Sequence, residues 1–363
     1  MKIGIIAHLK HPIIAPFAGG LEVFTHQVTT ALVAMGHDVM LFASDASDPA
    51  LPLEPILSDN HYDKTTGIRK KKKDLPSEYI AEHHAYFGLM TKIDDYGLDI
   101  IFNNSLHYIP ITMAGTLQTP MVTVLHTPPF YELDMAIAAE RRQPVINYVT
   151  VSGQSAFNWR KHVKDCPVIL NGIPLEDWIF YPEASKAVYA IWFGRIHPDK
   201  GLHLAIAAAR KAKIPLRVAG GVADQKYFDK EIAPMLGDDI TLLGLLDQKA
   251  LNKEIGMASV CLITPCWEEP FGFVVAESMA CGTPIAGFKM GALPELINAQ
   301  TGVLVELADV NALAEAIKKA IRLDRKTIHL YAQHKFSFLQ MIKAYESLLE
   351  RVSGRRKKLK YAI

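Results

Sequence analysis

The most informative part of the sequence is Trp267-Glu268-Glu269-Pro270-Phe271-Gly272-Phe273-Val274-Val275-Ala276-Glu277. The apolar residues 260–264 before it predict a buried parallel strand, and residues 273–280 predict the helix that follows. Glu269 therefore lies in the joining loop, and Glu277 lies inside the helix with seven residues between the two carboxylates. The amides of Phe271, Gly272 and Phe273 open the helix at the carboxyl end of the strand, and the positive end of its dipole favours anions and hydroxyl-rich ligands there.

Strand and helix patterns alternate on both sides of this corner. In the first half we predict strands at residues 3–7, 39–42, 100–102, 121–125, 148–151 and 168–170, with helices that include residues 21–35 and 80–93. In the second half we predict strands at residues 188–193, 216–219, 240–243, 260–264 and 284–286, with helices at residues 202–211, 249–258 and 273–280. The alternation predicts an α/β protein with doubly wound parallel sheets.

The chain is too long for one hydrophobic core. It has 363 residues, whereas single cores stop growing at roughly 250–300 residues. Residues 171–186 have a loop-like composition that includes Gly172, Pro174 and Pro182, and a second βαβ pattern begins at residue 188. We therefore expect one Rossmann-like domain over residues 1–172 and another over residues 185–337, with a final helix from about residue 338.

Composition excludes several classes of protein. The net charge of +1 argues against general nucleic-acid binding. Four separated cysteines without C-x-x-C spacing indicate neither a disulfide framework nor a structural zinc, and no G-x-G-x-x-G motif follows the first strand of either half, so we expect no dinucleotide cofactor. No apolar run approaches the ~18–20 residues of a membrane span, which predicts a cytoplasmic protein or one peripheral at the inner face of a membrane.

Several further motifs lie beside predicted strand ends. They are Gly19-Gly20, Gly194-Arg195 with Lys200-Gly201, Gly282-Thr283-Pro284, and Gly291-Ala292-Leu293-Pro294-Glu295. Together with the E-x7-E stretch, they make nearly the whole chain resemble the retaining glycosyltransferases of the GT-B fold, most closely family 4. This resemblance implies two Rossmann-like domains facing a central cleft, with the acceptor bound by the N-terminal domain and the nucleotide sugar by the C-terminal one. It also implies that the helix at about residues 338–363 packs back onto the N-terminal domain.

Arg195 and Lys200 are the predicted catalytic cations. They flank residues 197–199 directly after a strand, where a doubly wound sheet binds ligands. When a nucleotide sugar breaks, negative charge grows on the departing β-phosphate, and fixed cations stabilise that transition state more than the ground state. Such cations replace a metal, so we expect no metal site.

The two carboxylates of the E-x7-E stretch receive different roles. Glu277 is predicted to accept hydrogen bonds from both ribose hydroxyls, because one carboxylate accommodates two donors. Glu269 is predicted to hold the hexose hydroxyls and to face the developing positive charge of the sugar. Glu268 is the rival carboxylate, although only Glu269 gives seven intervening residues to Glu277.

The remaining predicted contacts come from strand ends and glycine loops. His126 follows a strand and matches a family position that contacts the donor sugar, so it is predicted to be catalytic together with Arg195, Lys200 and Glu269. His107 is interpreted as a structural hydrogen-bonding residue. Helix capping and surface roles are expected for Thr283 and Glu295. Donor-binding residues are predicted at Gly19, Gly20, Gly194, Gly220, Leu246, Phe271, Gly272 and Phe273.

The function implied is a metal-independent, retaining hexosyltransferase. We expect UDP-glucose as the donor and a saccharide or lipid-linked saccharide hydroxyl as the acceptor, in polysaccharide or glycoconjugate synthesis. GDP-mannose and other UDP-hexoses stay open as donors. A sugar-nucleotide epimerase on the same fold is the alternative enzyme, a non-catalytic partner subunit is a further reading, and a phosphorylase would need a pyridoxal cofactor.

Two basic runs, residues 69–73 and residues 355–360, have two interpretations. They are either a solvated loop and a frayed terminus, or weak contacts to an anionic membrane surface that would suit a lipid-linked acceptor.

Overall fold

The structure is a computed structural model that describes residues 1–58 and 75–360, with side chains as far as residue 354. The chain forms two compact units. Unit 1 comprises Met1–Val151, Ser155–Ile169 and Ile342–Ile363, and unit 2 comprises Ser152–Gln154 and Leu170–Met341. The predicted boundaries were residues 1–172 and 185–337, so the segment expected to link the domains belongs to unit 2.

Unit 1 is built on a parallel sheet of six strands in the order β3-β2-β1-β4-β5-β6. The strands are β1 (Lys2–Ile6), β2 (Asp38–Ser44), β3 (Leu53–Leu57), β4 (Ile100–Asn103), β5 (Met121–Leu125) and β6 (Ile146–Thr150). The helices are α1 (Gly20–Ala34), α2 (Ser77–Met90), α3 (Tyr108–Met113), α4 (Tyr131–Glu140) and α5 (Gly153–Trp159). Central strands read as continuous apolar runs because helices cover both faces; Ile3, Ile5 and Ile6 of β1 are almost completely buried.

Unit 2 repeats this architecture, with its strands in the order β12-β11-β10-β7-β8-β9. In both sheets the first strand of the unit lies between the second and the fourth, so the strand order is the same. Its strands are β7 (Ala190–Phe193), β8 (Leu216–Ala219), β9 (Ile240–Gly244), β10 (Val260–Ile263), β11 (Ile285–Phe288) and β12 (Gly302–Val305). Its helices are α6 (Leu202–Ala212), α7 (Gln225–Tyr227), α8 (Gln248–Met257), α9 (Phe273–Ala280), α10 (Leu293–Leu296), α11 (Val310–Ala320) and α12 (Arg325–Lys335). The predicted pair of doubly wound parallel sheets is confirmed.

Helix α13 (Phe338–Lys360) begins in unit 2 and belongs to unit 1 from Ile342 onward. Its Tyr345 is fully buried in unit 1, with ring centroids 5.7 Å from Phe24 of α1 and 5.3 Å from Phe102 of β4. Tyr345 of α13 therefore completes the core around α1.

One predicted strand is wrong. Residues 168–170 form only a single bridge, between Thr150 and Val168, at the edge of the first sheet. Val168 is 41% exposed, so this segment buries too little apolar surface to extend the sheet.

The basic run at residues 69–73 lies outside the described residues, as do the side chains of residues 355–360. The backbone of the latter segment continues α13 to Lys360. Within the described part of the chain, no helix is both long and apolar enough to cross a membrane.

Candidate functional site

The candidate donor site of unit 2 lies where the winding of its sheet reverses. Strands β7 and β10 are hydrogen-bonded neighbours at this point, and the crevice outside their carboxyl ends is where doubly wound sheets bind ligands. The loop of residues 194–201 follows β7, and the loop of residues 264–272 follows β10. The topology therefore places the two predicted cations beside the predicted sugar-binding carboxylate.

Gly201 and Thr264 lock these two loops together. Gly201 has a φ of +63°, and a Cβ on it would lie 2.2 Å from the carbonyl oxygen of Thr264, so only glycine permits the close approach. The Thr264 hydroxyl lies 2.9 Å from the carbonyl oxygen of Lys200 and 3.1 Å from that of Gly201, and Trp192 Nε1 donates to the same hydroxyl over 3.2 Å. The backbone of Lys200 is consequently fixed against β10.

Lys200 and Glu269 form an ion pair across the two loops. Lys200 Nζ lies 2.5 Å from Glu269 Oε2, and the indole Nε1 of Trp267 donates to the same oxygen over 3.0 Å. The Glu269 side chain is only 12% exposed, whereas Glu268 is exposed and has no ion pair among the described residues. The sequence left two carboxylates as candidates to hold the hexose, and the burial and ion pair of Glu269 favour it over Glu268.

Arg195 differs from Lys200 in its exposure and its ion pairing. Its side chain is exposed, and its guanidinium forms no ion pair or hydrogen bond with another described residue. It lies two residues beyond the end of β7, at the same sheet edge. An anion in the crevice would therefore meet Arg195, which has no ion-pair partner among the described residues, and Lys200, which already pairs with Glu269.

The segment at residues 291–295 positions the backbone of Glu269, a role that the sequence did not reveal. Ala292 N–H donates to the carbonyl oxygen of Glu269 over 2.8 Å. Gly291 has a φ of +54°, and a Cβ there would lie 2.1 Å from that same oxygen, so a side chain would displace the loop. Glu295 accepts hydrogen bonds from the backbone N–H groups of Gly153 and Gln154, which confirms a capping role.

The expected surface role of Thr283 is wrong. Its side chain is fully buried, and its hydroxyl donates to the carbonyl oxygen of Ile255 while accepting from Arg325. A threonine between Gly282 and Pro284 looked like a turn residue in the sequence, but the turn is enclosed by α8 and α12.

Glu277 lies in the second turn of α9, whose N-cap is Gly272. Its side chain keeps some surface exposure, yet the carboxyl lies deep enough that burial raises its pKa to about 8. No hydrogen bond or ion pair to this carboxyl occurs within the described residues. The group is consequently protonated for the most part at neutral pH, and ligand hydroxyls that donate to it would favour its charged form.

Substituting Glu277 by Gln should remove a pH dependence of stability. The folded protein holds this proton more tightly than the unfolded chain, so the free energy of unfolding falls as the pH rises from about 4.5 to about 8. Gln imitates the protonated carboxyl at every pH. We expect the Tm of Glu277→Gln to exceed that of the wild type by roughly 3–6 °C more at pH 9 than at pH 6. Thermal unfolding across this range measures it, with Glu268→Gln as the exposed control; a constant difference in Tm would contradict the burial of the carboxyl.

The other predicted donor residues of unit 2 line the same sheet edge. Gly194 donates its N–H to Ala219, at the end of β8, and Gly220 donates to Gly244, at the end of β9. Leu246 follows β9 and is half-buried. Phe271 is 2% exposed and packs its ring against Phe273, the first residue of α9.

In unit 1, His126 follows β5 and lies at the carboxyl edge of the sheet. Its Nε2 is 2.8 Å from Asn104 Oδ1, and its ring packs edge-on against Phe24 at 4.7 Å. Burial, assisted by the nearby His8, lowers the pKa of His126 to about 3, so the imidazole is neutral at physiological pH. It can exchange hydrogen bonds with a hydroxyl ligand, but it does not supply a positive charge.

His107 has the structural role that we expected. Its Nδ1 accepts the backbone N–H of Ile109 and so caps α3, and the ring is buried against Tyr86 and Tyr108. Burial lowers its pKa to about 4.

Sequence reasoning missed His8 and Glu22 at the same edge of unit 1. Gly19 is the N-cap of α1 and Gly20 its first residue, and Glu22 lies in the first turn with 4% exposure. Burial by itself would raise the pKa of Glu22, but the nearby His8 and His11 and the helix backbone outweigh it, so the pKa is lowered. His8 Nδ1 lies 3.6 Å from Glu22 Oε1. The sequence held a signal for both residues, since His8 lies two positions after the end of β1 and Glu22 lies two positions after the glycine pair.

Two protein-family models match the chain, one in each half. The family model described as Glycosyltransferase Family 4 matches residues 18–177, and the model described as Glycosyl transferases group 1 matches residues 179–335. A D-inositol 3-phosphate glycosyltransferase of Mycobacterium avium is 30% identical over 88% of this chain and 85% of its own. A glycogen synthase of Mycobacterium tuberculosis is 23% identical over 88% of this chain and 86% of its own.

Solved structures show the same two-unit fold. Anabaena HepE in complex with UDP-glucose superposes with a TM-score of 0.74 at 17% identity, covering 97% of this chain and 100% of that one. A sucrose-phosphate synthase from Thermosynechococcus elongatus gives 0.73 at 23% identity, covering 98% and 99%. The fold is the GT-B fold that the motifs predicted.

Proposed function

Because this chain belongs to glycosyltransferase family 4, we propose that it is a retaining hexosyltransferase that uses UDP-glucose as its donor. The observation that carries the proposal is the constellation of Arg195, Lys200 and Glu269 at the winding reversal of unit 2, with Glu277 one loop away in α9. Cations and a carboxylate on neighbouring loops suit the diphosphate and the adjoining hexose of a nucleotide sugar.

The proposed chemistry uses the two cations at the leaving group. As the bond between the hexose and the β-phosphate breaks, charge accumulates on the phosphate oxygens, and Arg195 and Lys200 stabilise it. Glu269 binds the hexose hydroxyls, and Glu277 accepts hydrogen bonds from the ribose. The acceptor hydroxyl attacks from the face that the phosphate leaves, and the phosphate receives its proton, so the configuration at the anomeric carbon is retained.

Glucose is supported as the transferred sugar by the kinds of proteins that resemble this chain. HepE was solved with UDP-glucose, and one curated relative is a glycogen synthase. We propose a saccharide or lipid-linked saccharide as the acceptor, bound in unit 1 near His8 and Glu22. The contact of His126 with the donor sugar stays a prediction. Contact with an anionic membrane surface through residues 69–73 and 355–360 stays a prediction.

A panel of donors tests the proposed function. UDP-glucose, UDP-galactose, UDP-N-acetylglucosamine and GDP-mannose are each added to the protein, and both the rise in Tm and donor hydrolysis are measured. We expect the largest rise and the fastest hydrolysis with UDP-glucose. The anomeric configuration of the product reports retention, and an altered nucleotide sugar in place of free nucleotide would indicate an epimerase instead.

Chelation should leave the activity largely intact. In the proposed mechanism, two side-chain cations and the amino end of α9 supply at the diphosphate the positive charge that a divalent ion would otherwise bring. Turnover of UDP-glucose is compared with and without EDTA after exhaustive dialysis. A loss of activity that added Mg²⁺ or Mn²⁺ restores would contradict the metal-independent mechanism.

A further inference from the structure

Trp267 lies two residues before Glu269, and the proposed reaction assigns it no role. We propose that it is a positioning residue for Glu269: its indole N–H holds one carboxylate oxygen so that the other is presented to the donor hexose. This inference rests on the proposed function, and it adds a determinant of how the sugar, rather than the nucleotide, is recognised.

The contacts of the Glu269 carboxylate divide its two oxygens. Oε2 receives the Trp267 Nε1–H at 3.0 Å and the Lys200 ammonium at 2.5 Å. No described residue donates a hydrogen bond to Oε1. Each carboxylate oxygen accepts about two hydrogen bonds, so Oε2 is saturated and Oε1 is the free acceptor. With the side chain 12% exposed, rotation about its last bond would bury an unpaired charge.

Lys200 alone is insufficient to hold this orientation during the reaction. The same ammonium is proposed to serve the departing β-phosphate, whose growing negative charge competes with Glu269 for it. The neutral indole N–H has no attraction of comparable strength to the phosphate, so it stays on Oε2 when Lys200 turns toward the leaving group. Trp267 therefore keeps Glu269 oriented at the stage when the hexose needs it.

The indole ring also touches Lys200. The Nζ atom lies 5.4 Å from the ring centroid, within the range of a cation–π contact. Trp267→Phe keeps an aromatic face for this contact and removes the N–H donor. The substitution thus isolates the hydrogen bond to Glu269.

The test compares the donor with its bare nucleotide. Affinities for UDP-glucose and UDP, and in parallel for GDP-mannose and GDP, are measured by calorimetry on wild type and Trp267→Phe. In Trp267→Phe we expect the affinity for UDP to change by less than about 2-fold. The ratio of UDP-glucose affinity to UDP affinity, which is the gain in affinity from the hexose, should fall by roughly 10–100-fold, the range for a hydrogen bond to a charged acceptor. The value of kcat should fall by the same roughly 10–100-fold. Trp267→His, which keeps a ring N–H, should recover part of the loss.

A double-mutant cycle separates positioning from general structure. If Trp267 acts through Glu269, Trp267→Phe has little further effect in a Glu269→Ala background. Trp178→Phe is the control, because Trp178 is another tryptophan of unit 2 that donates no hydrogen bond to a described residue. Three results would overturn the inference. The first is an effect of Trp267→Phe that is undiminished in the Glu269→Ala background. The others are an equal effect of Trp178→Phe and the unfolding of both Trp267 variants.

The failure of this inference is distinguishable from that of the proposed function. If the wild-type protein binds neither nucleotide sugar better than its nucleotide, the proposed function fails and this inference with it. If the wild type shows the gain and Trp267→Phe retains it in full, only the role of Trp267 is lost.

Discussion

Replacing Arg195 or Lys200 by alanine is expected to lower kcat by about 10²–10³-fold, the scale for losing one preorganised charge at a developing anion. Arg195 is an exposed cation without a described ion-pair partner, so its loss costs the fold little. Lys200 also holds Glu269 Oε2, so we expect Lys200→Ala to weaken the binding of UDP-glucose relative to UDP as well. The Arg195 variant should weaken UDP and UDP-glucose alike.

The measurement is turnover of UDP-glucose, with Tm recorded for each variant. Lys289→Ala is the matched control, because Lys289 is an exposed lysine of unit 2 in a surface ion pair with Glu306. Such a pair contributes little. Near-normal kcat in a folded Arg195→Ala or Lys200→Ala protein would remove these residues from the leaving-group site.

Replacing Arg325 by methionine is expected to destabilise unit 2 by about 3 kcal/mol or more, because hydrogen bonds to a charged group contribute ~1.5–3 kcal/mol each and the buried carbonyls would lose their donor. The Arg325 guanidinium donates to the carbonyl oxygens of Tyr181 (2.8 Å), Gly256 (2.6 Å) and Ala258 (2.9 Å), and to the Thr283 hydroxyl (3.0 Å). Burial lowers its pKa to about 10, so it remains charged at neutral pH. This one side chain fastens the segment before β7 to the ends of α8 and α9.

Thermal unfolding measures the effect, and a fall in Tm of roughly 6–12 °C is expected at ~2–4 °C per kcal/mol. Arg325→Lys should recover only part of it, since a single ammonium cannot reach carbonyls on three sides. Arg210→Met is the control, because Arg210 is exposed and pairs with Asp239 at the surface of the same unit. Equal losses for Arg210→Met and Arg325→Met would refute the structural role of Arg325.

The sequence predicted that Glu269 lies in a loop and Glu277 in the helix after it, but it did not predict the contacts within the candidate donor site. Glu269 and Glu277 are close in the chain, so the strand, loop and helix around them fix both from local pattern. Lys200 and Glu269 are 69 residues apart, and they meet only because β7 and β10 are adjacent at the winding reversal. Strand order is a property of the whole sheet, which explains why the ion pair and the role of Trp267 emerged only from the structure.

Errors in the predicted elements have similar physical origins. β3 was missed because Pro55 interrupts its pattern, yet a proline is tolerated there since β3 is an edge strand. Arg325 lies at the start of a polar helix, and its burial depends on acceptors contributed by three distant segments. Residues whose partners are remote in the chain are those that pattern alone cannot assign.

Helix α13 has a consequence for synthesis on the ribosome. Phe24 and Phe102 are made early, but the Tyr345 ring that covers both is added 243 residues after Phe102, since 345 minus 102 is 243. At ~5–20 residues per second this interval is on the order of tens of seconds. During that time the nascent first sheet presents an uncovered apolar surface, although its own six strands are complete at Thr150. Unit 1 therefore reaches its final packing only when α13 has been made, and the nascent N-terminal half is the part that chaperones would have to shield.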